Sequence, residues 1–182
     1  VLVKPYYKSP DIHKYYVVEN PHGFIILSNF IKALEDHPNL KTHLEKFHPI
    51  LAKRSQMEHC LDWWDLHQIR MKDKRKTGLL KKLIFEGEKV VTPNFARQNS
   101  FAYTSKPFYT EFDSYFITSK DTTLESLKYI TAILNSKVAD FWCSYNTKRK
   151  GEKGLVREYN TGSLSQIPIR RINFDDPQEV KI

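Results

Sequence analysis

The stretch KVVTPNFARQNSFAYT, from Lys89 to Thr104, decides the class of fold. A β-branched run, Lys89 to Thr92, and an aromatic run, Phe101 to Thr104, flank a segment of Pro, Asn, Gln and Ser, the layout of two strands with a turn-rich connection. Outward from it, Leu83 to Phe85 and Tyr115 to Thr118 read as further strands bounded by Gly, Pro, Asn and Ser, which makes a β-rich half. Beyond these the period changes. Thr122, with Glu125 three residues on, forms a capping box ahead of a stripe of Leu124, Leu127, Ile130, Ile133 and Leu134. A second stripe, Val138, Phe141, Trp142 and Tyr145, follows at i, i+3, i+4 and i+7, and both are read as core-facing helix faces. Strands followed by a C-terminal helical pair predict a single mixed α+β domain over residues 1–182.

Towards the N-terminus, Lys14 to Val18 and Phe24 to Leu27 are rich in Tyr, Val, Ile and Phe and flank Asn20-Pro21-His22-Gly23, which predicts a hairpin. Leu40, Leu44, Phe47 and Leu51 share a helical face behind Pro38, with Pro49 placed to split or kink the helix. Leu61 to Leu66, which holds Trp63 and Trp64, fits helix and strand patterns equally. Ile167 to Ile172, interrupted by Pro168, reads as an edge or surface trace.

A chain of 182 residues with 40% hydrophobic and 13% aromatic residues can bury a sizeable core and is not disordered by composition. Cys60 and Cys143 stand alone, which argues against a disulfide framework and for a reducing, cytoplasmic setting. The sequence has no apolar run near the ~18 residues of a membrane span, and its opening lacks the layout of a signal peptide, so a soluble chain with no membrane partner is expected. The net charge is +8 and unevenly placed. Arg70 to Lys82 carries +6, and Lys148 to Arg157 carries +4, with Gly78, Gly151 and Gly154 beside them. Such runs can be solvated loops, but two of them with flexible glycines suit loops that meet phosphates.

Motifs for chemistry are missing from the sequence. An amino-methyltransferase would show a glycine-rich cofactor turn and an Asn/Asp-Pro-Pro-aromatic motif, whereas Asn20-Pro21-His22 and Asp175-Asp176-Pro177 lack the second proline and the aromatic. A P-loop is absent. A metal-dependent nuclease needs Pro-Asp followed within a few tens of residues by Asp/Glu-x-Lys; here Pro10-Asp11 has only the distant Glu179-Val180-Lys181. The seven histidines form no HExxH, paired CxxC does not occur, and no Gly-x-Ser-x-Gly elbow marks a nucleophile.

Several separate segments resemble one family in serial order. The opening Lys4-Pro5-Tyr6-Tyr7-Lys8-Ser9-Pro10-Asp11-Ile12-His13-Lys14-Tyr15 is followed by Leu44 to Arg54 with its terminal Leu51-x-x-Arg54, then by Trp63-Trp64-Asp65-Leu66 with Arg70 downstream. Next come Lys89-Val90-Val91-Thr92-Pro93, Tyr115-Phe116-Ile117, Ile130 to Phe141 around Leu134-Asn135-Ser136-Lys137, and Ile167-Pro168-Ile169. In this order they resemble the TaqI-like C-terminal specificity domain, the target recognition domain of adenine-specific DNA methyltransferases and of single-chain restriction-modification enzymes. Two places depart from the family's usual pattern: Glu88-Lys89 stands before the Val-Val strand where Pro-Lys is common, and Arg170 follows Ile167-Pro168-Ile169 where a proline is common.

The resemblance implies a non-catalytic C-terminal part of a larger protein, whose upstream domain binds S-adenosylmethionine and methylates adenine at N6. This chain would hold no cofactor and no metal. It would bind double-stranded DNA beside that methyltransferase domain, and the parent could also carry an endonuclease. Arg bridges guanine O6 and N7, and Gln or Asn bridges adenine N6 and N7, so Asn94, Arg97, Gln98 and Asn99 are the expected base readers. Those asparagines could equally make turns. Arg70, Lys72, Lys74, Arg75, Lys76, Lys148, Arg149, Lys150 and Lys153 are the expected phosphate contacts. The alternatives are an RNA-binding module, with Tyr103, Phe108 and Tyr109 stacking unpaired bases, or a protein-interaction module with the Val138 to Tyr145 stripe partly exposed.

Overall fold

The computed structural model describes residues 3–28, 31, 33–55, 57–60, 62–66, 84–111, 113–119, 125–173 and 175–179. Arg70, Lys72, Lys74, Arg75 and Lys76, like Thr122 of the expected capping box, lie outside the described residues. The fold is α+β, and the chain divides into two compact units, Val1–Lys4 with Phe24–Lys81, and Pro5–Gly23 with Lys82–Ile182.

Strands β1 (Val3–Tyr6) and β2 (Gly23–Ile26) pair as a two-stranded ribbon. The hairpin expected between Lys14 to Val18 and Phe24 to Leu27 is therefore not made. Residues 11–18 instead close on themselves through an Ile12–Val17 bridge, with His13 N–H donating to Tyr16 O and Val18 N–H to Asp11 O. In the first unit, helix α1 (Pro38–Glu45) stops at a turn and α2 (His48–Leu51) restarts with Pro49 in its first turn, where a missing N–H costs nothing. Leu44 joins Ile31 and Leu34 in a small core against Trp63 and Trp64, which sit in a turn, neither helix nor strand. Arg54 locks this unit: its Nε donates to Leu51 O at 2.9 Å, and its Nη2 to Trp63 O and Asp65 O at 3.0 and 2.8 Å. One guanidinium thus ties the end of α2 to the tryptophan turn, which explains why Leu51-x-x-Arg54 and Trp63-Trp64-Asp65 occur together.

The second unit is built on β3 (Lys89–Pro93), the centre of an antiparallel sheet flanked by β5 (Ala102–Thr104) and β6 (Ser114–Ile117). Between β3 and β5 lies the short β4 (Phe95–Ala96). Successive strand residues point to opposite faces, so Val90 enters a core of Phe101, Leu127, Leu134, Cys143, Tyr159 and Ile167, while Val91 enters another of Tyr7, Ile12, Ala102 and Phe108. Its adjacent valines thus enter opposite cores, and the β-branched run they make with Thr92 is what marks the strand in the sequence. Lys89 opens it fully buried, its Nζ donating to Gly87 O and to Lys106 O at 2.5 and 3.0 Å. Burial pushes its ammonium down to about 8. The strand expected at Leu83 to Phe85 is corrected: residues 84–86 are helical, and Phe85 is fixed by stacking on Tyr109 at 5.0 Å.

Helices α3 (Leu127–Leu134) and α4 (Lys137–Asn146) follow each other through Asn135 and Ser136. The cap of α3 is Ser126, whose Oγ accepts from Tyr129 N–H at 3.2 Å, and Ser136 Oγ caps α4 by accepting from Ala139 N–H at 3.1 Å. Helix α3 buries Leu127 and Leu134 of its expected stripe and half-buries Ile130 and Ile133, and it also buries Thr131, which the stripe did not include. Helix α4 buries its expected stripe only in part. It buries Ala139 and Cys143, small residues that let its axis lie close to the core, packs the half-buried Trp142 against that core, and leaves Val138, Phe141 and Tyr145 exposed at 79%, 66% and 77%. After α4 come β7 (Lys148–Lys150), β8 (Val156–Glu158) and the single turn α5 (Thr161–Leu164). Among the described residues no helix is long and apolar enough to cross a membrane.

Candidate nucleic-acid interface

The second basic run folds into a hairpin. Thr147 leaves α4 with its Oγ1 donating to Cys143 O at 2.7 Å, and Lys148, Arg149 and Lys150 form an exposed strand that returns as β8. The tip is tight: Gly151, Lys153 and Gly154 have φ of 74°, 57° and 64°. A Cβ on Gly154 would stand 3.4 Å from Arg149 Cβ, and the left-handed backbone would be strained besides. Lys148 and Lys153 are exposed; Arg149 donates from Nη2 to Ser144 O at 2.6 Å, and Lys150 lies 3.8 Å from Glu158 Oε2. An exposed ion pair such as that of Lys150 with Glu158 is worth little and exchanges readily for a phosphate. A two-stranded ribbon is also a shape that the major groove of B-DNA admits.

The second sheet, in the order β4, β8, β7, brings a second element beside that hairpin. Its rungs are Phe95–Glu158–Lys148 and Ala96–Arg157–Arg149. Strand β4 runs from the Glu158 rung to the Arg157 rung, towards the end where the hairpin turns, and Arg97 follows Ala96 as a bend outside the strand. Arg97 and Gln98 are exposed there. Two segments chosen separately, one for base edges and one for phosphates, thus emerge at one end of one three-stranded sheet.

Asn99 and Asn94 have other roles. Asn99 is only 2% exposed, and its Nδ2 donates to Leu134 O at 2.7 Å while its Oδ1 accepts from Arg157 Nη1 at 3.0 Å and from Tyr159 OH. Its amide is fully engaged inside the protein, so it holds the loop and is not exposed for a groove. Asn94 is half-buried: its N–H donates to Asp113 O and its C=O accepts from Tyr159 N–H, both at 2.7 Å. Its Oδ1 is buried without a partner among the described residues. Burial removes Asn99 from the accessible set, and of the four expected base readers Arg97 and Gln98 are exposed.

What fixes those two is a network that local sequence could not reveal, because its members are far apart in the chain. Arg157 donates from Nη1 and Nη2 to the two oxygens of Asp140 at 2.6 and 3.2 Å, and Asp140 Oδ1 also accepts from Asn99 N–H at 2.8 Å. The Arg157 hydrogen bonds hold the Asp140 carboxyl below the usual carboxylate range. Beside it, burial pushes the Tyr159 phenol up to about 12 and raises the Cys143 thiol. Asn135 grips Phe101 from both sides, its Oδ1 accepting from Phe101 N–H at 3.1 Å and its Nδ2 donating to Phe101 O at 2.7 Å. Both ends of the Arg97–Gln98 loop are therefore anchored.

Phe101 O accepts one more bond, from Tyr15 N–H at 2.9 Å, which docks the 11–18 turn onto the same hub. Tyr15 sits at φ 79°, a left-handed conformation that costs a non-glycine residue roughly 1–3 kcal/mol. Lys14, beside it, is exposed. Sequence reasoning missed both; their only signal is their place in the opening segment of the family pattern. Of the aromatics expected to stack RNA bases, Phe108 and Tyr109 are buried, and Tyr103 is half-buried with its OH donating to Glu88 at 2.7 Å.

The family model of the TaqI-like C-terminal specificity domain matches residues 4–169, and the chain belongs to that family. Among named relatives it is similar to the type II methyltransferase M.HincII of Haemophilus influenzae, with 28% identity over 161 residues, covering 85% of this chain and 30% of that protein. It is similar also to the type II methyltransferase M.HindII of the Rd strain of that species, with 28% identity over 155 residues, covering 83% of this chain and 28% of that protein. The chain therefore spans less than a third of the length of either relative.

Proposed function

We propose that the chain recognises a target sequence in double-stranded DNA and positions it for methylation of adenine at N6 by a methyltransferase domain of the same polypeptide, in a restriction-modification system. On this reading S-adenosylmethionine belongs to that other domain, and this chain supplies recognition alone. The observation that supports the proposal is the shared sheet of β4, β8 and β7, in which β4 runs towards the end where the basic hairpin turns and leads into the exposed Arg97 and Gln98. Lys148, Arg149, Lys150 and Lys153 grip the phosphates and set register, while Arg97 and Gln98 reach base edges. The run of Arg70, Lys72, Lys74, Arg75 and Lys76 adds phosphate contacts on the strength of sequence alone. Adenine inside a duplex cannot be methylated in place, so the parent extrudes it while this module holds the flanking duplex.

One observation favours a second reading alongside the first. The exposed Val138, Phe141 and Tyr145 give α4 an apolar outer face, which suits docking against a neighbouring methyltransferase domain.

The test is a binding series of the chain with duplex DNA, single-stranded DNA and structured RNA across salt concentrations. Duplex DNA is expected to bind tightest, and engagement of about four phosphates gives a slope of log K against log salt near about −3.6. Preference for RNA, or a slope near zero, would contradict the proposal.

A further inference from the structure

An open cleft of about 500 Å³ lies where the 11–18 turn, the 97–99 loop and α4 meet. Its size falls within the range of sites that hold a small ligand. Asn99, Asn135, Asp140 and Arg157 line it with side chains bonded to one another or to backbone, so this part of the wall is rigid. Because Arg157 and Asp140 pair, their charges cancel, and Lys14 and Lys137 set the sign of the cleft. Lys137 is also the first residue of α4, whose N-terminal end adds partial positive charge.

The remaining wall combines three kinds of chemistry. Phe141 is 66% exposed, its ring lying 5.0 Å from that of Tyr145, and it alone of the α4 stripe lines the cleft. Gln98 brings an amide with both donor and acceptor, and Ser144 brings a hydroxyl. An aromatic face, an amide and two lysines together match one ligand class, a nucleotide whose base has left the stack: the ring takes the base, the amide its edge, and the ammonium groups its phosphates.

We infer that this cleft receives a single unstacked nucleotide of the bound DNA, with its base on Phe141. The inference rests on the DNA reading above, and it makes Lys14, Lys137 and Phe141 binding residues that the base-reading loop does not include. It also gives a use to the strained Tyr15, whose left-handed backbone turns the chain just after Lys14.

The test compares two short duplexes of the same sequence, one fully paired and one with a single unpaired adenine, by fluorescence anisotropy with the whole chain at fixed salt. The unpaired nucleotide is expected to tighten binding roughly tenfold, the scale of one base stacked on an aromatic ring. Phe141→Ala should abolish that preference and leave the paired duplex within roughly twofold, since phosphate contacts are untouched. Phe141→Trp should keep it, and circular dichroism of both variants should match the parent because the ring is exposed. Equal affinity for the two duplexes overturns the inference and leaves the DNA reading standing. A preference that survives Phe141→Ala overturns it too, and leaves Phe141 to the docking face. Failure to bind either duplex overturns the DNA reading and this inference together.

Discussion

Asn99→Ala is expected to destabilise the chain by about 3 kcal/mol, measured by urea unfolding. Three buried groups lose a partner at once: Leu134 O, Tyr159 OH and Arg157 Nη1, of which Arg157 retains Asp140 and Tyr159 retains its contact with Arg157. A buried polar group left unsatisfied costs about 1–3 kcal/mol. Gln98→Ala, one residue away but exposed, should stay within about 0.5 kcal/mol. In the full-length polypeptide, Asn99→Ala should lower methylation at every sequence alike, because it loosens the loop and removes no base contact. A stability equal to that of Gln98→Ala would show that the network does not anchor the loop.

Replacing Lys148, Lys150 and Lys153 together by alanine is expected to flatten the salt dependence of duplex binding. If each neutralises one phosphate, the slope of log K against log salt becomes shallower by about 2.7. The loss should be the same on target and on random duplex, since phosphates carry no sequence. Thermal stability should change little because all three side chains are exposed. Arg149 is left out of this set because its bond to Ser144 O closes the end of α4. An unchanged slope would make the hairpin a solvated turn.

The parts of the fold visible in sequence are those where local pattern and burial agree. Central strand β3 was legible because both its faces are covered, and α3 because Leu127, Ile130 and Leu134 recur at helical spacing. Helix α4 was located, but of its expected core face only Trp142 packs inward. Spacing at i, i+3, i+4 and i+7 shows that Val138, Phe141, Trp142 and Tyr145 share a face without showing which way that face points, and the small Ala139 and Cys143 take the inner side. The strand expected at Leu83 to Phe85 gives way to helix at residues 84–86, because so short an apolar run carries no period.

The candidate site divides in the same way. Exposed, charged residues such as Lys148 and Arg97 were legible from composition. Asn99 was not, because its partners Leu134, Arg157 and Tyr159 lie 35, 58 and 60 residues away. An asparagine that anchors a loop and one that reads adenine look identical in sequence; only burial separates them.

The most direct test of target recognition is methylation by the full-length polypeptide, counted across a library of duplexes, with and without Arg97→Ala. Arg97 is exposed at the end of the sheet that carries the hairpin tip, and loss of a bidentate base contact costs about 1–3 kcal/mol of discrimination. The account predicts that Arg97→Ala relaxes or alters preference at one position of the target, with other positions read as before. A uniform fall in methylation at all sequences would place Arg97 on the phosphate backbone, and an unaltered profile at the normal rate would remove the loop from the recognition surface and contradict the account.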